Sequence, residues 1–264
     1  MATLDEKRIY DEGTTDAVLL GATAAGLVWA AVTGDQIGRF GMAERCDARA
    51  VAVTPQRVAV ATATDVLVGP DRDTLSPADV GPARAVAFTS SGWIAGLDDG
   101  RLVAEREETG LQQLGEYSDI RAIDPPFVAT ADGVYRITQA ASAGLTAVRD
   151  VAALPVPYAA TDTALYRLGN GWLEERTGEA TVVTGAADGR GLAVVEGTLM
   201  TRRTDAWHPA SLDPETPVVD AALGPANYAV TGDGLLAVDA GNGWRTRSLG
   251  VPKVRALAAR AETS

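Results

Sequence analysis

One short phrase recurs along this chain and constrains its fold more than any other feature. Its clearest form is Ala129-Thr130-Ala131-Asp132-Gly133-Val134-Tyr135-Arg136-Ile137, which reads as strand end, tight turn, strand start. Asp-Gly suits a two-residue hairpin because glycine accepts the positive φ angles of such turns. Variants run through Ala22–Trp29, Ala61–Leu67, Leu97–Leu102, Ala160–Tyr166, Val195–Met200 and Val230–Leu236, making seven copies. A spacing of roughly 30–40 residues, with strand patterns and no helical pattern, is the signature of a β-propeller.

The segments between the turns share one grammar. A first strand of small apolar residues leads to a turn that often holds proline, and a short second strand follows. The acidic turn, a third strand and a more polar fourth strand complete the unit. Crowding at a propeller axis favours Ala and Val on the innermost strand, while outer strands meet water. Innermost strands are expected near 49–54, 84–89, 121–124, 149–154, 185–190, 218–223 and 254–259. The last has no partners after it, and the first blade lacks an innermost strand. The expected fold is therefore all-β: seven blades of four antiparallel strands, closed by the C-terminal strand joining the N-terminal blade. Closure of this kind hides two sheet edges. The chain then reads as one domain over 1–264, with blade one shared between 14–46 and 253–260. A competing first strand is Lys7-Arg8-Ile9-Tyr10.

Charge narrows the function classes. The net charge is −12, and two lysines stand against 21 arginines. Dense carboxylates with few bulky apolar residues match a salt-rich cytoplasm and argue against nucleic acid, which needs a basic footprint. Cys46 and His208 are the only residues of their types, so an internal disulfide is impossible and a histidine-rich metal site is not expected. Residues 17–34 carry no charge, but the acidic segment before them and the turn at Ala24-Ala25-Gly26 favour two buried strands over a membrane helix. The expectation is a cytoplasmic monomer that does not bind membranes.

Three segments, Val28–Gly41, Ala131–Arg136 and Leu165–Trp172, carry a resemblance to a family of uncharacterised seven-bladed propellers from haloarchaea. The resemblance implies a fold and a cell type and no activity. The turn Asp239-Ala240-Gly241-Asn242-Gly243-Trp244 is similar to the Asp-box of sialidase-like propellers, a structural element that lends no support to glycosidase chemistry.

Two rings of charge are candidate site residues. Arg49, Arg84, Arg121, Arg149 and Arg255 recur at the start of innermost strands, with Asp220 in that place in blade seven and Arg190 as a candidate in blade six. Asp65, Asp99, Asp132, Asp162, Glu196 and Asp233 fall in or beside the turns between second and third strands. Both rings should lie on the top face, where inter-blade connections and these turns meet. Arginine and acid should pair there, bracing the rim, in at least two of the blades begun by Arg49, Arg84, Arg121 and Arg149. No catalytic residue, metal ligand or cofactor is assigned. The expected role is a non-enzymatic binding scaffold that takes a protein partner or ligand on the top face. The alternative is a hydrolase, lactonase-like or glycosidase-like, working through carboxylates near the axis.

Overall fold

A computed structural model of the chain describes residues 16–262, save 107–109, 138, 204 and 213. The competing strand at 7–10 lies outside the described residues. Twenty-eight strands, β1 (Ala17–Thr23) to β28 (Val254–Ala261), form seven four-stranded antiparallel sheets, and no described residue is helical. No helix among the described residues is long and apolar enough to cross a membrane.

The innermost strands of blades two to seven are β4 (Ala48–Val53), β8 (Ala83–Thr89), β12 (Ile120–Asp124), β16 (Val148–Ala152), β20 (Ala180–Gly185) and β24 (Val218–Leu223). Blade one closes as expected: β28 pairs antiparallel with β1, which pairs with β2 (Gly26–Thr33), which pairs with β3 (Gln36–Glu44). The expected innermost strand at 185–190 is corrected. Blade six starts at Ala180, and residues 186–190 form the turn at the bottom of the blade.

Each innermost strand contains a β-bulge at its second residue. Ala48 faces Thr62 while Ala50 faces Ala61, so Arg49 is the extra residue. The same shift occurs after Ala83, Ile120, Val148, Ala180 and Val218, and in blade one between Val254 and Ala256. A bulge breaks the period-two alternation and re-aims side chains. The first residue of each strand is buried between blades, whereas the second and third face the axis.

The recurring turns are held by a buried threonine at the end of the second strand. The Thr130 hydroxyl accepts from the amides of Asp132 (3.2 Å) and Gly133 (3.1 Å) and donates to the Gly133 carbonyl (3.0 Å). Thr23 and Thr161 repeat this pattern. The loop residues are thus Ala131 and Asp132, and Gly133, at φ 146°, opens the next strand rather than sitting inside the turn. Only blade six places Glu196 (φ 50°) and Gly197 (φ 71°) as paired positive-φ loop residues.

The core is a set of apolar clusters between neighbouring blades, among them Tyr228, Leu236 and Leu257 at the closing seam, with Leu257 from the last strand. Deleting β28 strips Val254 and Leu257 from that seam and exposes the edge of β1. A chain ending at Lys253 should therefore aggregate and melt well below the full chain, as read by size-exclusion chromatography and thermal denaturation. A soluble truncation with an unchanged melt would contradict the closure.

Candidate functional site

The bulges set the chemistry of the top face. Around the ring from blade one, the bulged residues are Arg255, Arg49, Arg84, Arg121, Arg149, Thr181 and Val219. The five arginines line the mouth of an axial channel of about 240 Å3. One residue further along each strand, the lining is mostly small, as at Ala50 and Ala85, but two positions are Asp150 and Asp220. Asp220 is therefore not the blade-seven member of the arginine ring; Val219 is. Arg190 is not in the ring either. It lies in the bottom turn, donating to Asp188 (2.7 Å) and to the Gly224 carbonyl of blade seven (2.8 Å).

The arginines pair with carboxylates as expected, though only partly with the expected ones. Arg49 donates to both oxygens of Asp98 (2.8 Å each), in the acidic turn of the next blade, and to the Ala83 carbonyl (3.3 Å). Arg84 reaches the same Asp98 at 3.0 Å. Arg149 donates to Asp162 in its own blade (2.5 Å) and lies 2.6 Å from Glu179 of the connection beyond. Arg121 takes Asp119 (2.9 Å) and the Val148 carbonyl (3.2 Å). Arg255 takes Asp47 (2.5 Å) and the Ala48 carbonyl (3.0 Å). Burial alone would raise the Asp98 carboxyl, but hydrogen bonds from Arg49 and Arg84 outweigh it and hold the group below the usual carboxylate range.

Of the predicted acidic ring, Asp162 alone meets the arginine ring. Asp65 accepts four amides, those of Val66, Asp79, Val80 and Gly81, and so shapes the connection out of its blade. Asp99 pairs with Arg101 of its own third strand (2.7 Å). Asp132 bonds to Ser118, Glu196 accepts from the Glu179 amide, and Asp233 bonds to Thr231 and Thr216. The partners missed from sequence are Asp47, Asp98, Asp119 and Glu179. A signal for three of them was present: an acid directly before the innermost strand, as in Asp47-Ala48-Arg49, Asp119-Ile120-Arg121 and Glu179-Ala180-Thr181.

Beneath the rim, each axial aspartate bridges two blades. Asp150 accepts from the amides of Val151 and, in blade six, Val183 (2.8 Å each). Asp220 accepts from Ala221 (2.8 Å) and from Leu257 of the closing strand (2.6 Å). Asp124 accepts from Ala153 in the next blade (2.7 Å). Removal from bulk water raises all three carboxyls, Asp150 to about 7 and Asp220 to about 8; the charge of Asp150 adds to the shift at Asp220. Both side chains border the channel and stay partly accessible, which moderates the shift.

The chain matches the HVO_0234-like beta-propeller family over residues 3–260 and belongs to it. This is a haloarchaeal family of seven-bladed propellers. A comparison with curated proteins finds none that matches. Among solved structures, the chain is similar to the computationally designed Ika8 protein, at 17% identity and TM-score 0.62, covering 92% of this chain and 87% of that one. It is also similar to the extracellular domain of the putative one-component system BT4673 from B. thetaiotaomicron, at 13% identity and TM-score 0.56, covering 88% of this chain and 38% of that one. Both likenesses concern the fold alone.

The axial carboxyls make stability depend on pH with a defined sign. Between the ordinary carboxylate range and the raised values, the folded chain holds protons that the unfolded chain has released. Stability is therefore full at the low end of this window and falls as pH climbs through about 7 and about 8. Acids held low, such as Asp98, act only below the window. The melting temperature should be higher at about pH 5.5 than at about pH 8.5, with the difference largely removed in Asp150→Asn/Asp220→Asn. A wild-type melt that rises across that interval would contradict the assignment.

Proposed function

We propose that this protein is a non-enzymatic binding scaffold of a halophilic archaeon that engages a protein partner or small ligand on its top face. The observation that carries this reading is the arginine ring. Five guanidiniums are re-aimed by bulges to one channel mouth, and each is held there by a carboxylate. Held guanidiniums form a preorganised polar surface, which lowers the ordering cost of binding. The surface faces an axis lined mainly by Ala, Val and Ile. Localisation in the cytoplasm and a monomeric state belong to the same reading, on the acidic composition.

The hydrolase alternative rests on Asp150 and Asp220, whose raised carboxyls resemble a proton donor and acceptor poised near neutrality. Against it, both oxygens of each are engaged by backbone amides, and no nucleophile lines the channel beside them apart from the Thr181 hydroxyl. No group of three or more His, Cys, Asp or Glu among the described residues could hold a metal ion.

A capture experiment in molar potassium chloride from haloarchaeal lysate tests the face. Arg84, the most exposed ring member at 56%, is changed to Glu, and Gln56 on the bottom face is changed to Arg as the control. The species enriched by the wild type should be lost with Arg84→Glu and kept with Gln56→Arg. The reverse pattern would place the interaction on the bottom face and overturn the reading.

A further inference from the structure

The ring is not charged evenly, and its unevenness specifies a ligand class. Arg255 and Arg49, on adjacent blades, each commit one terminal nitrogen to a carboxylate and a backbone carbonyl. Their other N–H groups meet no protein acceptor among the described residues, and both side chains line the channel. The axial carboxylates lie in blades five and seven, Asp150 across the ring from the two arginines and Asp220 beside blade one. The two poles come close at the closing seam. Asp220 is bonded to the Leu257 amide, two residues from Arg255 on the same strand.

We propose that the channel mouth binds a small zwitterion of the α-amino-acid class, its carboxylate on the unspent N–H groups of Arg49 and Arg255 and its ammonium against Asp220 and Asp150. This rests on the top-face binding reading and narrows it to one ligand chemistry. A free anion fits poorly, because each arginine already holds a carboxylate and two more lie below. A simple amine leaves the guanidinium donors unused. A calcium or magnesium ion fits poorly too, since it takes six or more oxygen ligands and the two axial carboxylates offer four oxygens at most. A carboxylate oxygen has a second lone pair for an ammonium proton. The space suffices: a cavity of about 150 Å3 holds benzene, and this one is about 240 Å3.

Such binding moves protons. An ammonium beside Asp220 and Asp150 favours their charged forms, so complex formation near neutrality releases protons to the buffer. The other charged groups around this pair are the five ring arginines, which line the same channel, and Asp124, close enough to Asp150 to act on its charge.

The test is isothermal titration calorimetry of the full chain at about pH 7.5, in two amine-free buffers of different ionisation enthalpy. The probes are L-alanine, L-glutamate, propionate and ethylamine. At least one amino acid should bind with proton release. Propionate and ethylamine, each keeping one pole of alanine, should bind at least about tenfold more weakly. Asp220→Asn should cost about tenfold or more in amino-acid affinity and suppress the proton release. Arg49→Gln should cost affinity and leave the proton release per bound ligand intact. Propionate or ethylamine binding as well as the amino acids would overturn the zwitterion assignment, and so would no binding by either amino acid up to about 10 mM. Neither failure touches the top-face reading, which stands or falls on the Arg84→Glu capture experiment.

Discussion

The structure depends on one backbone irregularity, the bulge at the second residue of every innermost strand. A regular strand would send alternate residues to alternate faces. The extra residue keeps the first position buried between blades and turns the next two toward the axis. Long polar side chains can therefore stand at the crowded centre: Arg49 and Arg255 sit at bulges, with Ala50 and Ala256 directly below them. The axial positions must be small because seven strands converge there, and this accounts for the many Ala and Val residues of the innermost strands.

Most innermost strands also bring a polar side chain at or beside the bulge within reach of the neighbouring blade, and every seam carries a polar contact, the one between blades six and seven coming from the bottom turn. Arg255, Arg49 and Arg121 donate to the first carbonyl of the following innermost strand, at 3.0, 3.3 and 3.2 Å. Arg84 approaches Asp119 at 3.7 Å, and Asp150 bonds to blade six. Arg190 ties blade six to blade seven from below. Asp220 reaches the closing strand, reinforced at the perimeter by Arg245 with Asp35 (2.5 Å) and by Arg247 with the Ile37 and Gly38 carbonyls (2.7 Å each). A ring closed by apolar packing alone would tolerate slippage between blades. Directional contacts fix each blade's height against the next.

Architecture was legible in the sequence because it repeats. The seven turns, the blade count and the C-terminal closure all follow from pattern. Blade six misled because it lacks the marker: Thr181 stands where five other blades place arginine, and Arg190 in the bottom turn imitates it. The acidic ring was located in the correct turns, yet Asp65 and Asp99 face away from the arginines. Sequence shows which turn a carboxylate occupies, but the turn's dihedral angles decide where it aims. Of the axial aspartates, Asp220 was picked out but given an arginine's place in the ring, and Asp150 was hidden for a related reason. Arg149-Asp150 reads as an ordinary exposed polar pair until a bulge turns the second residue to the axis, and in a five-residue strand with polar residues at two positions the broken alternation has no regular pattern to stand out against. Three of the four missed partners, Asp47, Asp119 and Glu179, show that charge at a strand entrance is as informative as charge in the turn.

The family membership and the two structural likenesses concern the fold, while the polar lining is read from this chain's own residues. The central claim is that cross-blade pairing at the bulges holds that lining in place. A double-mutant cycle on Arg49→Ala and Asp98→Ala measures it most directly, by denaturant unfolding at constant salt. The account predicts that the two changes are not additive, with a coupling of about 1 kcal/mol, in keeping with a partly exposed pair in which one guanidinium nitrogen meets both carboxylate oxygens. Additivity within about 0.3 kcal/mol would mean that the rim arginines are ornaments of a ring held by its apolar seams, and would contradict the account.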